Sequence, residues 1–306
     1  VSRLEIDLRL KDHRDSVHID TIDLAATENK FTYALEGRSE SLGAISAKGD
    51  YAPDAGVLNT VLSLHPTQMG QTLLPADHWD SYGEALLARI DPMVLEARYA
   101  EEDQSISFKS YDPMPLSGTL RLTDTGTVEH LSLVADVPTA WFAGFLPEDF
   151  HMSGLAETGV QFEPGTGKLN GVVNLTDTDV FCHALKKPIG FTSTLEMSGR
   201  WWNGVLQDAK GDLQLGNLST PFRIAETGFA SDDLNIALAE LAPLFPADAT
   251  LDGRIAGSFS TSPPQLDLRA TEAMLRPTRE LPTLALNGAI LLGPDTWRFD
   301  ELRVTQ

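Results

Sequence analysis

The sequence predicts an all-β protein, an elongated antiparallel meander sheet with a few short helices. Three observations carry this reading. Apolar and polar residues alternate with period two along most of the 306-residue chain, the mark of strands with one apolar and one polar face. The joints between these runs are short and rich in turn formers, as in Glu163-Pro164-Gly165-Thr166-Gly167, Thr261-Ser262-Pro263-Pro264 and Gly293-Pro294-Asp295. Short joints make successive strands antiparallel neighbours. The long apolar runs that a helix-covered parallel sheet requires are missing.

The elements follow in order. Leu4, Ile6, Leu8 and Leu10 alternate with Glu5, Asp7 and Arg9, and Phe31, Tyr33 and Leu35 come next. Leu95, Ala97 and Tyr99 precede Ile106 and Phe108, then Leu120 and Leu122, then Leu131, Leu133 and Ala135. Past the midpoint the pattern runs through Val160 and Phe162, Leu195 and Met197, and Leu213 and Leu215. It closes with Leu234, Ile236 and Leu238, then Ile255, Gly257 and Phe259, then Leu266 and Leu268, Leu284 and Leu286, and Trp297 and Phe299. Helical signals are few. Ser81-Tyr82-Gly83-Glu84 has capping-box spacing, with Leu86, Leu87 and Ile90 behind it. Pro138 can open a short helix through Trp141, Phe142 and Phe145; a second covers residues 239–245, limited by Pro243.

A degenerate repeat underlies the pattern. Leu146-Pro147-Glu148-Asp149 is followed by Ser153-Gly154-Leu155-Ala156, and Phe245-Pro246-Ala247-Asp248 by Asp252-Gly253-Arg254-Ile255. Thr125-Gly126 and Thr227-Gly228 lie upstream, and Leu74-Pro75-Ala76-Asp77 begins a weaker copy. The short helices at 138–145 and 239–245 then read as one plug per repeat. Repeated units bury their apolar faces by stacking on neighbours. The expectation is one elongated segment over 1–306, with repeat units at about 1–115, 116–218 and 219–306 and no clean domain boundary. The chain starts in a strand-like run at Val1 and ends after another at Gln306, so it reads as a piece of a longer protein.

Composition narrows the function. The hydrophobic fraction of 42% fits a folded chain and argues against disorder. A net charge of -21 disfavours nucleic acid, whose phosphates need clustered Lys and Arg, and disfavours polybasic attachment to anionic lipid headgroups. No apolar run approaches the ~20 residues of a membrane-spanning helix. The single cysteine, Cys182, forbids an internal disulfide and reads as structural. Its neighbour His183 points to the other face of a strand.

Catalytic and metal-binding patterns are not evident, so the sequence predicts no enzyme, no metal and no cofactor. The seven histidines stand apart and make no His-x-x-x-His pair. Asp177 and Asp179 read as a solvated turn, because the glycine and terminal glutamate of a calcium loop do not follow. Glu101-Glu102-Asp103 reads as an exposed hairpin tip. Gly165-Thr166-Gly167 lacks the helix of a phosphate cradle, and no Gly-x-Ser-x-Gly elbow occurs. Asp77, His78 and Asp80 fit a loop beside a helix start. Trp201-Trp202 reads as one interior and one exposed ring rather than a sugar-stacking platform. A glycosidase-like all-β enzyme would need converging carboxylates, which spacing alone does not reveal.

The closing stretch resembles a known family. A short-helix phrase, Leu238-Ala239-Glu240-Leu241-Ala242-Pro243-Leu244-Phe245-Pro246, precedes Leu251-Asp252-Gly253-Arg254-Ile255-Ala256-Gly257-Ser258-Phe259, a Pro263-Pro264 turn and Gln265-Leu266-Asp267-Leu268-Arg269-Ala270. This cadence resembles the AsmA-like superfamily of Gram-negative envelope proteins, which includes the TamB and YhdP proteins. The match covers residues 232–270, and more loosely 123–175. The resemblance implies a curved sheet forming a groove with an apolar floor, in the periplasm, as part of an inner-membrane-anchored protein. It further implies phospholipid as partner, with inner and outer membrane proteins as possible partners, and acyl-chain conduction between the membranes. Candidate groove-lining residues are Leu4, Ile6, Leu8, Leu120, Leu122, Leu131, Leu133, Leu234, Ile236, Ile255, Leu266, Leu268, Leu284 and Leu286. The competing reading is a closed β-sandwich or barrel, a binding or adhesion module whose alternating residues form an interior core.

Overall fold

The computed structural model describes residues 4–10, 13–39, 43–65, 88–90, 92–112, 114–141, 150–182, 185–202, 205–225, 228–247, 249–261, 264–276, 283–292 and 297–305. Several features of the sequence lie outside them: the Ser81-Tyr82-Gly83-Glu84 capping box, the Leu74-Pro75-Ala76-Asp77 phrase, the Asp77, His78 and Asp80 group, and Phe142, Phe145 and Leu146-Pro147-Glu148-Asp149. The described chain is nearly all β and antiparallel throughout. By its contacts it divides into two compact units, Val1–Asp136 and Val137–Gln306.

The described residues of the first unit form a meander of nine strands: β1 (Leu4–Leu10), β2 (His13–Thr27), β3 (Lys30–Ser39), β4 (Gly43–Ala52), β5 (Val57–Leu64), β6 (Met93–Ala100), β7 (Ser105–Ser110), β8 (Leu116–Leu122) and β9 (Val128–Pro138). Each strand pairs with the next in sequence. Residues directly opposite in an antiparallel pair point to the same face, so register turns alternation into rows across the sheet. One row passes through Ala26, Phe31, Tyr51, Leu58, Tyr99, Ile106, Leu120 and Leu131. A second row on the same face passes through Leu24, Tyr33, Gly49, Thr60, Ala97, Phe108, Gly118 and Leu133. A bulge between Ile19 and Thr21 keeps Ile19 and Ile22 on this face although they are three residues apart.

Early in the second unit, directly after β9, lies a 3₁₀ turn at residues 139–141, where the buried Thr139 hydroxyl donates to the Gly154 carbonyl at 3.1 Å. Its strands are β10 (Phe150–Glu163), β11 (Lys168–Asn174), β12 (Thr178–Cys182), β13 (Leu185–Lys187), β14 (Ser193–Trp202), β15 (Val205–Leu215), β16 (Leu218–Ala225), β17 (Gly228–Ala237), β18 (Thr250–Thr261), β19 (Pro264–Arg276), β20 (Leu284–Leu292) and β21 (Trp297–Thr305). β10 is shared lengthwise. Its first half pairs with β12 and its second half with β11, so β12 and β13 form a side hairpin while β11 continues the meander to β14. Gly154 makes this split possible. Its φ is +104°, and a Cβ there would lie 2.5 Å from the Asp177 carbonyl oxygen, closer than any side chain can approach.

A 3₁₀ segment, Leu238–Leu244, links β17 to β18. It lies where the short helix over 239–245 is expected. It packs on β18, β17 and β13. Its own Leu238 and, on the strands it covers, Leu251 are 7% exposed and Ala273 is 1% exposed, with Ile236, Ile255, Ala270, Leu275 and Leu286 packed around them. Pro243 inside the segment removes a backbone donor and keeps it to short turns. Bulges recur on this side of the sheet, between Ser231 and Leu234, Asp252 and Arg254, and Ala270 and Ala273. Each re-aims the strand so that apolar residues on both sides of it keep to one face.

Candidate functional site

The candidate surface is the apolar face of each unit. In the first unit Tyr51, Leu58, Tyr99, Ile106, Phe108, Leu120 and Leu131 of this face are half-buried, and Leu24 and Phe31 are exposed. The rows thus keep apolar surface within reach of a ligand. Leu120 stands opposite Leu131, Leu122 opposite Val128, and Leu133 opposite Gly118, so these four predicted residues form one patch on β8 and β9. Backbone register sets Leu4 opposite Ile19, Ile6 opposite Val17 and Leu8 opposite Asp15; the side chains of Leu4, Ile6 and Leu8 lie outside the description.

In the second unit the predicted residues separate into two groups. Ile236 and Ile255 face each other across β17 and β18, and Leu286 stands opposite Ala273. All three pack against the buried cluster below Leu238–Leu244. Leu234, Gly257 and Leu268 form the next row, and Leu266 stands opposite Phe259. These leucines are half-buried and outside that cluster. Leu284 stands opposite Leu275 and is 37% exposed.

Aromatic residues not among the predicted set complete the face. Phe222 stands opposite Gly211, and a Cβ on that glycine would fall 2.6 Å from the Phe222 ring. Phe108 covers Gly118 in the same way. The Phe222, Phe229 and Phe259 rings follow one another with centroids 5.0 and 5.5 Å apart. The available signal was a glycine breaking an apolar alternation, which marks a place where a neighbouring ring lies over the backbone.

Polar features of the second unit are explained by structure. Lys187 Nζ donates to the carbonyls of Thr176, Thr178 and Pro188 at 3.2, 2.6 and 3.3 Å, which pins the β12–β13 hairpin. Burial lowers its pKa below 10.5, opposed by the charges of Asp179 and Asp177. In the first unit Lys109 lies 5.1 Å over the Tyr111 ring and 3.1 Å from Glu96, and these two, Tyr111 first, raise its pKa. Glu101, Glu102 and Asp103 sit in the exposed turn between β6 and β7. Trp201 is 43% exposed. Among the described residues no three His, Cys, Asp or Glu side chains gather as a metal site requires, and no helix is long and apolar enough to cross a membrane.

Comparison with protein families, with curated proteins and with solved structures returns no match for this chain.

Proposed function

We propose that the apolar face binds phospholipid acyl chains and conducts them along the sheet. The observation that supports this reading most is the unbroken row of eight apolar side chains from Ala26 to Leu131, one from each of eight consecutive strands. At ~4.8 Å per strand the row spans about 34 Å. A bilayer core is ~30 Å thick, so one acyl chain reaches ~15 Å, and the row is long enough for two end to end. Each methylene held there instead of in water is favoured by ~0.8 kcal/mol. Equivalent positions recur strand after strand, so a chain can slide without leaving apolar contact.

In this proposal the protein acts in the periplasm of a bacterial envelope, as part of an inner-membrane-anchored protein of AsmA-like type. Membrane proteins at its two ends would load and receive lipid. Conduction needs no catalytic residue, metal or cofactor, and the protein is proposed not to be an enzyme. The test is organic extraction of the purified protein followed by lipid mass spectrometry. Stoichiometric phospholipid supports the proposal. A clean extract from protein purified without detergent would count against the proposal and favour a binding or adhesion role for the same sheet without lipid.

A further inference from the structure

We propose that the polar face of the first unit carries a second binding site, a trough that takes an extended acidic oligosaccharide. It lies on the face opposite the acyl-chain rows and does not depend on that reading. The trough has a volume of about 720 Å³ and crosses β4 to β9. Two adjacent cross-strand rows form its sides, one from Lys48 to Val134 and one from Asp50 to Ser132. Six strands span ~24 Å, so the trough suits a linear ligand running across the strands.

Its electrostatics depart from the rest of the chain. The whole sequence has 23 basic and 44 acidic residues, yet the trough presents Lys48, Arg98 and Lys109 against Asp50 and Glu96. Both carboxylates are engaged: Asp50 by Lys30 at 3.4 Å and by the Asn59 amide at 3.2 Å, Glu96 by Lys109 at 3.1 Å. Lys48 and Arg98 are exposed and make no ion pair among the described residues. They stand two strands and two residues apart, ~12 Å between backbones. The ligand therefore carries sparse negative charges along its length.

Hydrogen bonding selects the chemistry. The floor is a sheet whose backbone donors and acceptors are consumed by the ladder, so a peptide strand finds no main-chain partners on it; strand addition uses an edge. The side chains of Ser117, Thr119 and Ser132 make no hydrogen bond among the described residues, and each hydroxyl both donates and accepts. That pattern complements sugar hydroxyls. A nucleic acid carries a phosphate every ~3.4 Å along a strand, too dense for two free cations on a chain of net charge -21.

The test is calorimetric titration of the full chain with hyaluronan oligosaccharides, which carry a carboxylate on alternate sugars, in parallel with a neutral maltooligosaccharide and an oligoglutamate peptide. Expected is binding of the acidic sugar alone, weakened at least tenfold in the Lys48→Gln, Arg98→Gln double variant and weakened by added salt. Arg38→Gln, which removes an ion-paired cation outside this trough, should leave affinity unchanged. Both trough cations are exposed, so the double variant should melt as the parent does. No binding up to millimolar hyaluronan oligosaccharide, equal affinity in the double variant, equal binding of the neutral sugar, or preference for the peptide would each overturn the proposal.

Discussion

Two aspartate substitutions, Leu251→Asp and Leu268→Asp, should behave oppositely although both replace a leucine on the same sheet face. Leu251 is 7% exposed beneath Leu238–Leu244, whereas Leu268 is half-buried and outside that cluster. Truncating a buried leucine costs about 2.7–5 kcal/mol, and an unpaired buried carboxylate adds several kcal/mol more. The sum rivals the ~5–15 kcal/mol stability of a whole domain, so Leu251→Asp should unfold the second unit at neutral pH. At position 268 the carboxylate stays hydrated, and losing a half-buried leucine costs about 1 kcal/mol. That variant should melt close to the parent yet bind acyl chains more weakly. A pH series sharpens the contrast. Burial raises the pKa of the carboxyl introduced at position 251 above the usual ~3.9, so the native state holds the proton longer, and the defect should shrink as pH falls toward ~4. The assays are thermal melting by circular dichroism and displacement of a fluorescent fatty acid. Equal destabilisation by the two substitutions would refute the division of this face into covered and open parts.

Gly154→Ala should cost about 1–3 kcal/mol, because a positive φ and close contact with the Asp177 carbonyl act together. Gly190→Ala, also at positive φ but with nothing within 4 Å, should cost about 1–2 kcal/mol from backbone strain alone; urea midpoints compare the two. Lys187→Met leaves three carbonyls without their ammonium donor and should destabilise by about 1–3 kcal/mol. Burial lowers the Lys187 pKa, so between that value and 10.5 the unfolded chain binds the extra proton. The proton-linked part of its contribution is largest above 10.5 and is lost as pH falls through the folded value. The stability gap between parent and Lys187→Met should therefore widen as pH rises toward 10.5, as read by denaturant titration.

The strands were legible because alternation is a local signal. Phe31, Tyr33 and Leu35 fall on β3, Leu195 and Met197 on β14, and the Glu163 to Gly167 turn closes the β10–β11 hairpin through a Gly167 N–H to Glu163 carbonyl bond of 2.8 Å. What escaped depends on partners distant in sequence. The sharing of β10 between β11 and β12 rests on Gly154 meeting Asp177. The bulges at Ser231 and Ala270 shift register without changing composition. Ile236, Ile255 and Leu286 have the same pattern as Leu234 and Leu268; only the position of Leu238–Leu244 separates them. The polar trough was illegible for the same reason: Lys48 and Arg98 are 50 residues apart in sequence and adjacent only through β5.

If lipid lies on the apolar face, photocrosslinking from single positions will find it there and not on the other side. A photoreactive phenylalanine analogue at Leu120 or Leu131 reports the apolar row, and the same group at Thr119 or Ser132 reports the opposite face of the same two strands. With phospholipid vesicles carrying a labelled acyl chain, adducts are expected from Leu120 and Leu131 and none above background from Thr119 and Ser132. Equal labelling from both faces, or labelling from the polar face alone, would contradict it.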